Sequence, residues 1–449
     1  MKTRESTTEM KRIVLATSGS FGDLHPYIAV ALALQARGHA VTIATSEAHR
    51  EKVEGEGLAF HPVRPELTPS THSPEMFARI NDPRSGPGYL LNELVLPYVD
   101  QMYEDLLEGC RRADLLVIHP VLFAAPLVAE KLNLPWVSVM LAPGAFVSAY
   151  DPPVFPPFPW LYPLRHLGPL PSYLVFEFCR KATRKWAKSL DELRRREGLR
   201  PAQAHPLHAE LWSPYGTLAW FSPLLAAPQP DWPRHTNITG FVFYDKQHPG
   251  EGLNPALRDF LRDGERPLVF TLGTSAVLAA GNFYQESLRA IEQLNKRAVL
   301  LTGAQGRNPL PGNLPKSIFV ADYAPYSELF PHAAAIVHSG GIGTCAHVLR
   351  AGVPMLVVPF AFDQPDNAAR MQRLGVARVL SAKRYNANRA AEILAKLIQD
   401  SHYATRCRSI AAQIKNEDGI ANACRALETV LQSNPKREAE VDLMSLAKV

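Results

Sequence analysis

The sequence predicts an α/β protein built from two parallel-sheet units. Three observations carry this reading. A strand–turn–helix–strand succession occupies the first stretch of the chain, from Arg12 to Thr45. A second βα series starts at Pro267. The chain has 449 residues, about three times the common single-domain size, so two domains are the natural expectation.

Arg12–Thr17 is a short apolar, β-leaning run, and Ser18–Asp23 is a glycine-bearing turn. Pro26–Arg37 has helix formers and stops at Gly38, a good residue just past a helix end. Ala40–Thr45 is the next strand. Strands joined through a helix pair in parallel with a right-handed crossover. Leu115–Ile118 and Trp136–Met140 are further strands. Between Pro228 and Pro267 the pattern breaks into proline- and glycine-rich loops around one short strand, His235–Phe243. The domain boundary is placed there, giving units 1–245 and 246–449. Pro267–Leu272, Ala298–Thr302, Ala334–His338 and Met355–Pro359 are the strands of the second series. One helix is expected over Ser401–Gln432, and the polar tail after it is expected to fray.

Hydrophobic residues at 46% and charged residues at 20% exclude a largely disordered chain. The net charge of +5, without a long Lys/Arg block, argues against a nucleic-acid partner. The five dispersed cysteines argue against a disulfide framework or zinc site and for a reducing, cytoplasmic setting. No apolar export segment follows the charged N-terminus. The longest uncharged stretch, Leu132–Tyr150, contains Pro135, Pro143 and Gly144. It reads as a buried strand plus loop, leaving at most peripheral membrane contact.

Proline is over-represented: 39 residues, nearly twice the usual share of about 5%. Eight lie between Pro152 and Pro171, interleaved with Phe155, Phe158, Trp160, Leu161, Tyr162 and Leu164. Such a segment excludes a regular helix or interior strand. Two readings stay open: an apolar loop packed on the first domain, or a stiff wall of an apolar ligand pocket.

The chemistry-bearing residues cluster at strand ends. His338-Ser339-Gly-Gly341-Ile-Gly343-Thr344 joins a strand to a helix. Glycines admit a ligand close to the backbone, and a helix N-terminus offers free N–H groups and partial positive charge. No Lys or Arg occurs from Ser317 to Leu349, so an anion here would be held by dipoles and hydroxyls. The turn lacks the Gly-Lys-Ser/Thr ending of a P-loop and the G-x-G-x-x-G dinucleotide pattern. Asp363 and Gln364 follow the next strand and share its crevice. A carboxylate beside an amide suits a polyhydroxylated ligand; the alternative for Asp363 is a helix cap. Asp23 and His119 each follow a strand of the first unit. On one sheet edge they could activate a hydroxyl, while Asp23 too has a helix-capping alternative.

These motifs resemble those of nucleotide-sugar-dependent glycosyltransferases of the GT-B fold, in the family that includes sterol, antibiotic and plant secondary-product transferases. The likeness rests on Tyr323-Ala-Pro, His338–Thr344, Arg350-Ala-Gly-Val-Pro354, Asp363-Gln364-x-x-Asn367-Ala368 and Gly19-Ser-Phe-Gly-Asp23-x-x-Pro26. Within the family it looks most like rhamnolipid-type rhamnosyltransferases, on Asp231-Trp-Pro233, Thr239-Gly-Phe241 and Arg266–Thr271. The resemblance implies two Rossmann-like domains facing across a cleft, with a C-terminal helix crossing back. It implies a UDP- or dTDP-sugar as co-substrate, no metal or other cofactor, and a small hydrophobic or aromatic acceptor. Tyr323 and Ala324 would meet the base. Thr274 or Ser275, His338, Ser339, Gly341, Gly343 and Thr344 would hold the diphosphate, and Asp363 and Gln364 the sugar.

The resemblance also implies that Asp23 occupies the place of the general base, a histidine in the plant branch, with His25 in reserve. His119 occupies the place of the plant branch's orienting aspartate. Ala346 stands where the plant branch carries a ribose-binding glutamate, which is compatible with a dTDP donor. The expected reaction is inverting transfer of glucose or rhamnose to an acceptor hydroxyl. The alternatives are a nucleotide-sugar epimerase of the same fold or a non-catalytic partner of another transferase.

Overall fold

The computed structural model describes residues 9–66, 74–82, 84–156, 158–245, 252–303 and 308–433. Pro157, most of the loop Lys246–Gly252 and the expected tail beyond Ser433 lie outside the described residues.

Two all-parallel sheets form, as the βα series predicts. The first holds seven strands: β1 (Arg12–Ala16), β2 (Ala40–Thr45), β3 (Ala59–Pro62), β4 (Leu115–Ile118), β5 (Trp136–Met140), β6 (Thr217–Ala219) and β7 (Thr236–Ile238). Their order is β3-β2-β1-β4-β5-β6-β7. The second holds six: β8 (Leu268–Thr271), β9 (Ala298–Leu301), β10 (Ile318–Ala321), β11 (Ala335–His338), β12 (Met355–Val357) and β13 (Ala377–Val379), in the order β10-β9-β8-β11-β12-β13. β4, β5, β8, β9, β11 and β12 are buried at every residue, as expected of parallel strands covered on both faces.

In each sheet the chain winds outward in one direction, returns to the middle and winds the other way. The switch points fall between β1 and β4 and between β8 and β11. Loops leaving the carboxyl ends of such neighbours diverge and open a crevice. Asp23 and His119 follow β1 and β4; Thr274 and Ser275 follow β8, and the Ser339–Thr344 turn follows β11.

Several elements differ from expectation. The first helix starts at Phe21, not Pro26, because Ser20 caps it. Pro26 sits inside its second turn. The segment read as irregular is a run of 3₁₀ turns, Pro159–Leu167, leading into an α-helix, Pro169–Thr183. Pro169 and Pro171 are accommodated in that helix's first turn, where the backbone N–H groups have no partner to lose.

The expected helix Ser401–Gln432 is two helices, Ser401–Ile414 and Gly419–Gln432, broken where Asp418 caps the second. The second does cross back. Its Ala423, Cys424 and Leu427 belong to the buried cluster with Leu24, Ile28 and Leu34 of the first unit, and Glu428 pairs with Arg37 at 2.8 Å.

Candidate functional site

Asp23 is held by local geometry that its neighbours dictate. Ser20 is the helix N-cap; its hydroxyl accepts from the Gly22 N–H at 3.2 Å. Asp23 Oδ2 reaches back to accept from the Ser20 N–H at 2.8 Å and hydroxyl at 3.1 Å. This is a capping box with Asp in the usual Glu place. The sequence offered Asp23 itself as the possible cap near Pro26; Ser20 is the cap instead, and the pattern Ser20-x-x-Asp23 is the signal that could have shown it. Gly19 makes the arrangement possible: its φ is +128°, and a Cβ there would lie 2.4 Å from Asp23 Oδ2.

The other oxygen, Oδ1, stands 3.8 Å from His119 Nε2. His119 is mostly buried, its ring near Tyr27 with centroids 6.2 Å apart. Burial lowers its pKa, opposed by the pull of Asp23. Its Nδ1 is buried with no hydrogen-bond partner among the described residues. His25 does not join this pair. It lies two residues on, about 200° around the helix, stacked against Phe21 and Tyr244 with centroids 5.3 and 4.8 Å away.

In the second unit, helix Ile342–Ala351 starts from Gly341, which has no side chain to cap it. Its first intrahelical bond is Cys345 N–H to Gly341 C=O at 3.0 Å, so the preceding N–H groups point out of the helix end. A Cβ on Gly341 or Gly343 would meet nothing within 4 Å. The approach to these N–H groups is therefore open. Gly340 is different: its φ is +92°, and a Cβ would lie 2.8 Å from Val357. Only glycine makes that turn without strain.

The side chains of the turn largely support it. Ser339 donates to the Leu272 carbonyl at 3.0 Å, clipping the β8 and β11 loops together. His338 was expected to present its imidazole to the crevice; instead it is fully buried. Its Nδ1 accepts from the Gly340 N–H at 3.1 Å, and Nε2 lies 3.3 Å from Met355 Sδ. Burial pushes its pKa down to about 3, so the ring is neutral. In this conformation His338 shapes the turn from behind. Thr344 is buried and lies beside Tyr326, whose hydroxyl is 2.9 Å from Thr271 Oγ1. Tyr326 is an addition that no motif announced. Thr274 is exposed and Ser275 half-buried beyond β8. Tyr323 is 69% exposed, whereas Ala324 is buried.

Asp363 and Gln364 open helix Gln364–Arg373. Asp363 is its N-cap residue without making a side-chain cap bond; its Oδ2 accepts from Asn367 Nδ2 at 2.7 Å. Burial raises its pKa to about 7, and repulsion from Asp23 adds to the rise. The two carboxyls, from different sheets, thus sense one another. Gln364 Oε1 accepts from the Phe360 and Ala361 N–H groups at 2.8 and 3.2 Å, which fixes the amide and leaves its NH₂ end for a ligand.

Behind this helix lies a network the sequence did not announce. The buried Arg370 pairs with Asp366 at 2.7 Å and with Asp151 of the first unit at 2.5 Å. It also donates to the Leu225 carbonyl at 3.1 Å, and Asp366 accepts from the Val154 N–H at 3.2 Å. Helix Gln364–Arg373 is thereby fastened to the loop that begins the proline-rich segment.

Comparison with known proteins bears on the same two units. Residues 13–144 match the glycosyltransferase family 28 N-terminal domain, and residues 285–429 match the erythromycin biosynthesis protein CIII-like C-terminal domain. The chain is 33% identical over 433 residues to O-mycaminosyltylonolide 6-deoxyallosyltransferase of Streptomyces fradiae, covering 93% of this chain and 97% of that one. It is 26% identical over 433 residues to a sterol 3-beta-glucosyltransferase of Debaryomyces hansenii, covering 92% of this chain but only 26% of that longer protein.

Among solved structures, the calicheamicin glycosyltransferase CalG4 superposes with a TM-score of 0.70 at 19% identity, covering 95% of this chain and all of that one. The spinosyn rhamnosyltransferase SpnG gives 0.66 at 19%, covering 93% and all of that chain. Two parallel sheets with crevices at their switch points, and a full-length relative above 30% identity, lead to one conclusion: the chain belongs to the GT-B glycosyltransferases and is an enzyme of that family.

Proposed function

We propose that the protein transfers a deoxyhexosyl group from a nucleoside-diphosphate sugar to a hydroxyl of an apolar, macrolide-type acceptor, with inversion. The observation that carries this reading is the placement of Asp23. Its carboxylate is locked by Ser20, flanked by His119, and close enough to Asp363 to raise that carboxyl's pKa.

The acceptor oxygen attacks the anomeric carbon while Asp23 takes its proton. The bond from that carbon to the diphosphate oxygen breaks, and the diphosphate leaves with the electron pair. The charge it gains falls to the open N-terminus of helix Ile342–Ala351, with Thr344 beside it; this end acts as a preorganised anion site in a segment without Lys or Arg. His338 contributes by holding Gly340. Asp363 and the Gln364 amide take sugar hydroxyls, and exposed Tyr323 stacks on the base.

A deoxysugar and a macrolide-type acceptor are favoured by the likeness to the Streptomyces fradiae deoxyallosyltransferase. A dTDP donor is favoured by Ala346, which offers no carboxylate to ribose. The inward side of the proline-rich segment, with Phe155, Leu161, Leu164 and Phe176 around a cavity of about 20 Å³, forms an apolar wall.

The test is thermal-shift screening against UDP, dTDP and their sugars, then mass spectrometry with a mixed panel of hydroxylated acceptors. A new product heavier than its acceptor by one sugar, with the opposite anomeric configuration to the donor, supports the reading. Retention of configuration, or donor conversion that needs no acceptor, would sink it.

A further inference from the structure

The outward face of helix Pro169–Thr183 takes no part in the site. Leu170, Leu174 and Phe178 recur every four residues and share one face. All three are exposed, Phe178 to 73%. Leu167, Tyr173 and Trp160 extend this surface, and Trp160 is 69% exposed. The opposite side of the helix already packs inward through Ser172 and Phe176. A surface helix ordinarily carries one apolar stripe and buries it. This helix carries a second one to solvent, and clustered exposed apolar side chains mark a docking surface.

Charge selects the occupant. Residues 158–188 contain six Lys/Arg and one acid, Glu177, for a net +5. That equals the formal net charge of the whole chain, so all the rest balances to zero. Arg180, Arg184 and Lys188 pair with Glu177, Asp191 and Glu192. Lys181 and Lys185 are exposed and have no ion pair among the described residues. Lys181, seven residues beyond Leu174, returns to the apolar face. Glu177 lies on that face too, but its charge is matched by Arg180.

We propose that this face docks the protein onto an anionic lipid bilayer. The helix would lie in the interface plane with Leu170, Leu174 and Phe178 inserted, Trp160 at headgroup level, and Lys181 and Lys185 over anionic headgroups. A second copy of the chain would bury the same apolar residues but would bring two +5 segments together, which charge disfavours.

The experiment is co-sedimentation of the full chain with phosphatidylcholine vesicles, with and without phosphatidylglycerol, at low and high salt. Two variants are compared: Leu170→Ser/Leu174→Ser/Phe178→Ser and Lys181→Glu/Lys185→Glu. Both alter exposed positions away from the site; melting temperature and nucleotide binding check that each is folded.

Binding should require phosphatidylglycerol and weaken with salt. It should be abolished in the apolar variant and fall roughly 25-fold or more in the charge variant, at about five-fold for each cation removed. Absence of binding to anionic vesicles at low salt overturns the proposal. So does binding indifferent to lipid charge, or a dimer that the apolar variant dissolves without any vesicle binding.

Discussion

Oδ1 of Asp23 lies 3.8 Å from Nε2 of His119, while Oδ2 of the same carboxylate is held by the backbone and hydroxyl of Ser20. One oxygen is thus spent on position. The other faces a histidine at a distance too long for a hydrogen bond, with room for an incoming hydroxyl to compete. The helix cap and the candidate base are one feature.

Asp23→Asn keeps an acceptor for the Ser20 N–H and removes the base. Turnover should fall by roughly 10²- to 10⁴-fold, with the affinity for UDP or dTDP unchanged by calorimetry. Near-normal turnover would dismiss Asp23 as the base.

Gly343→Val tests the anion site with little cost to the fold, because a Cβ there meets no protein atom within 4 Å. The melting temperature should hold. Affinity for the nucleoside diphosphate should drop about ten-fold or more, equivalent to at least about 1.4 kcal/mol. Unaltered affinity would mean that the diphosphate sits elsewhere.

Asp363 gives a pH signature. Its folded pKa, about 7, is raised above the ordinary 3.8, so the folded state binds the extra proton between these values. Its contribution to stability is complete below pH 3.8 and is lost as pH rises through 7. Asp363→Asn should therefore raise stability at pH 8 by roughly 1–4 kcal/mol and flatten the decline between pH 4 and 7, while weakening binding of the intact donor more than that of the bare nucleotide. Denaturant titrations across this pH range read the first effect. Loss of stability at pH 8 would count against it.

Arg370→Ala should destabilise the protein by roughly 3–5 kcal/mol, since Asp366 would be left buried without its cation, while half-buried Asp151 keeps Arg373 at 3.7 Å. Arg370→Lys should recover only part of this, because an ammonium cannot fork to two carboxylates and a carbonyl. Guanidinium unfolding measures both. Equal stability of Arg370→Ala and the unsubstituted protein would mean that the network does not fasten the units.

Much of this was legible where one local pattern decides the outcome. Leu115–Ile118 and Trp136–Met140 were read to the residue because fully buried parallel strands are unbroken apolar runs. Ala59–Pro62, Thr217–Ala219, Ile318–Ala321 and Ala377–Val379 were missed. Each is only three or four residues long, all but Thr217–Ala219 lie at a sheet edge, and pairing with a neighbour, rather than composition, makes them strands. The glycine turn after β11 was readable, but the orientation of His338 was not: the ring sits between the Gly340 N–H and Met355 of the neighbouring strand. Asp366 and Arg370 stand four apart on one helix, a visible pair, whereas Asp151 lies 219 residues before Arg370. Nothing local links such positions.

Because helix Gly419–Gln432 packs against the first helix, the first and last helices described belong to the same half. Topologically, the second unit is an insertion into the first, reached by one crossing near residue 245 and left by another at Lys415–Asp418. Two tethers turn what would be a swivel into a strap hinge, which permits opening and closing and opposes free rotation. They also define how the enzyme can be recombined: a second unit exchanged between relatives must be cut at both crossings. A single-junction chimera would give the first half a final helix selected to fit another protein.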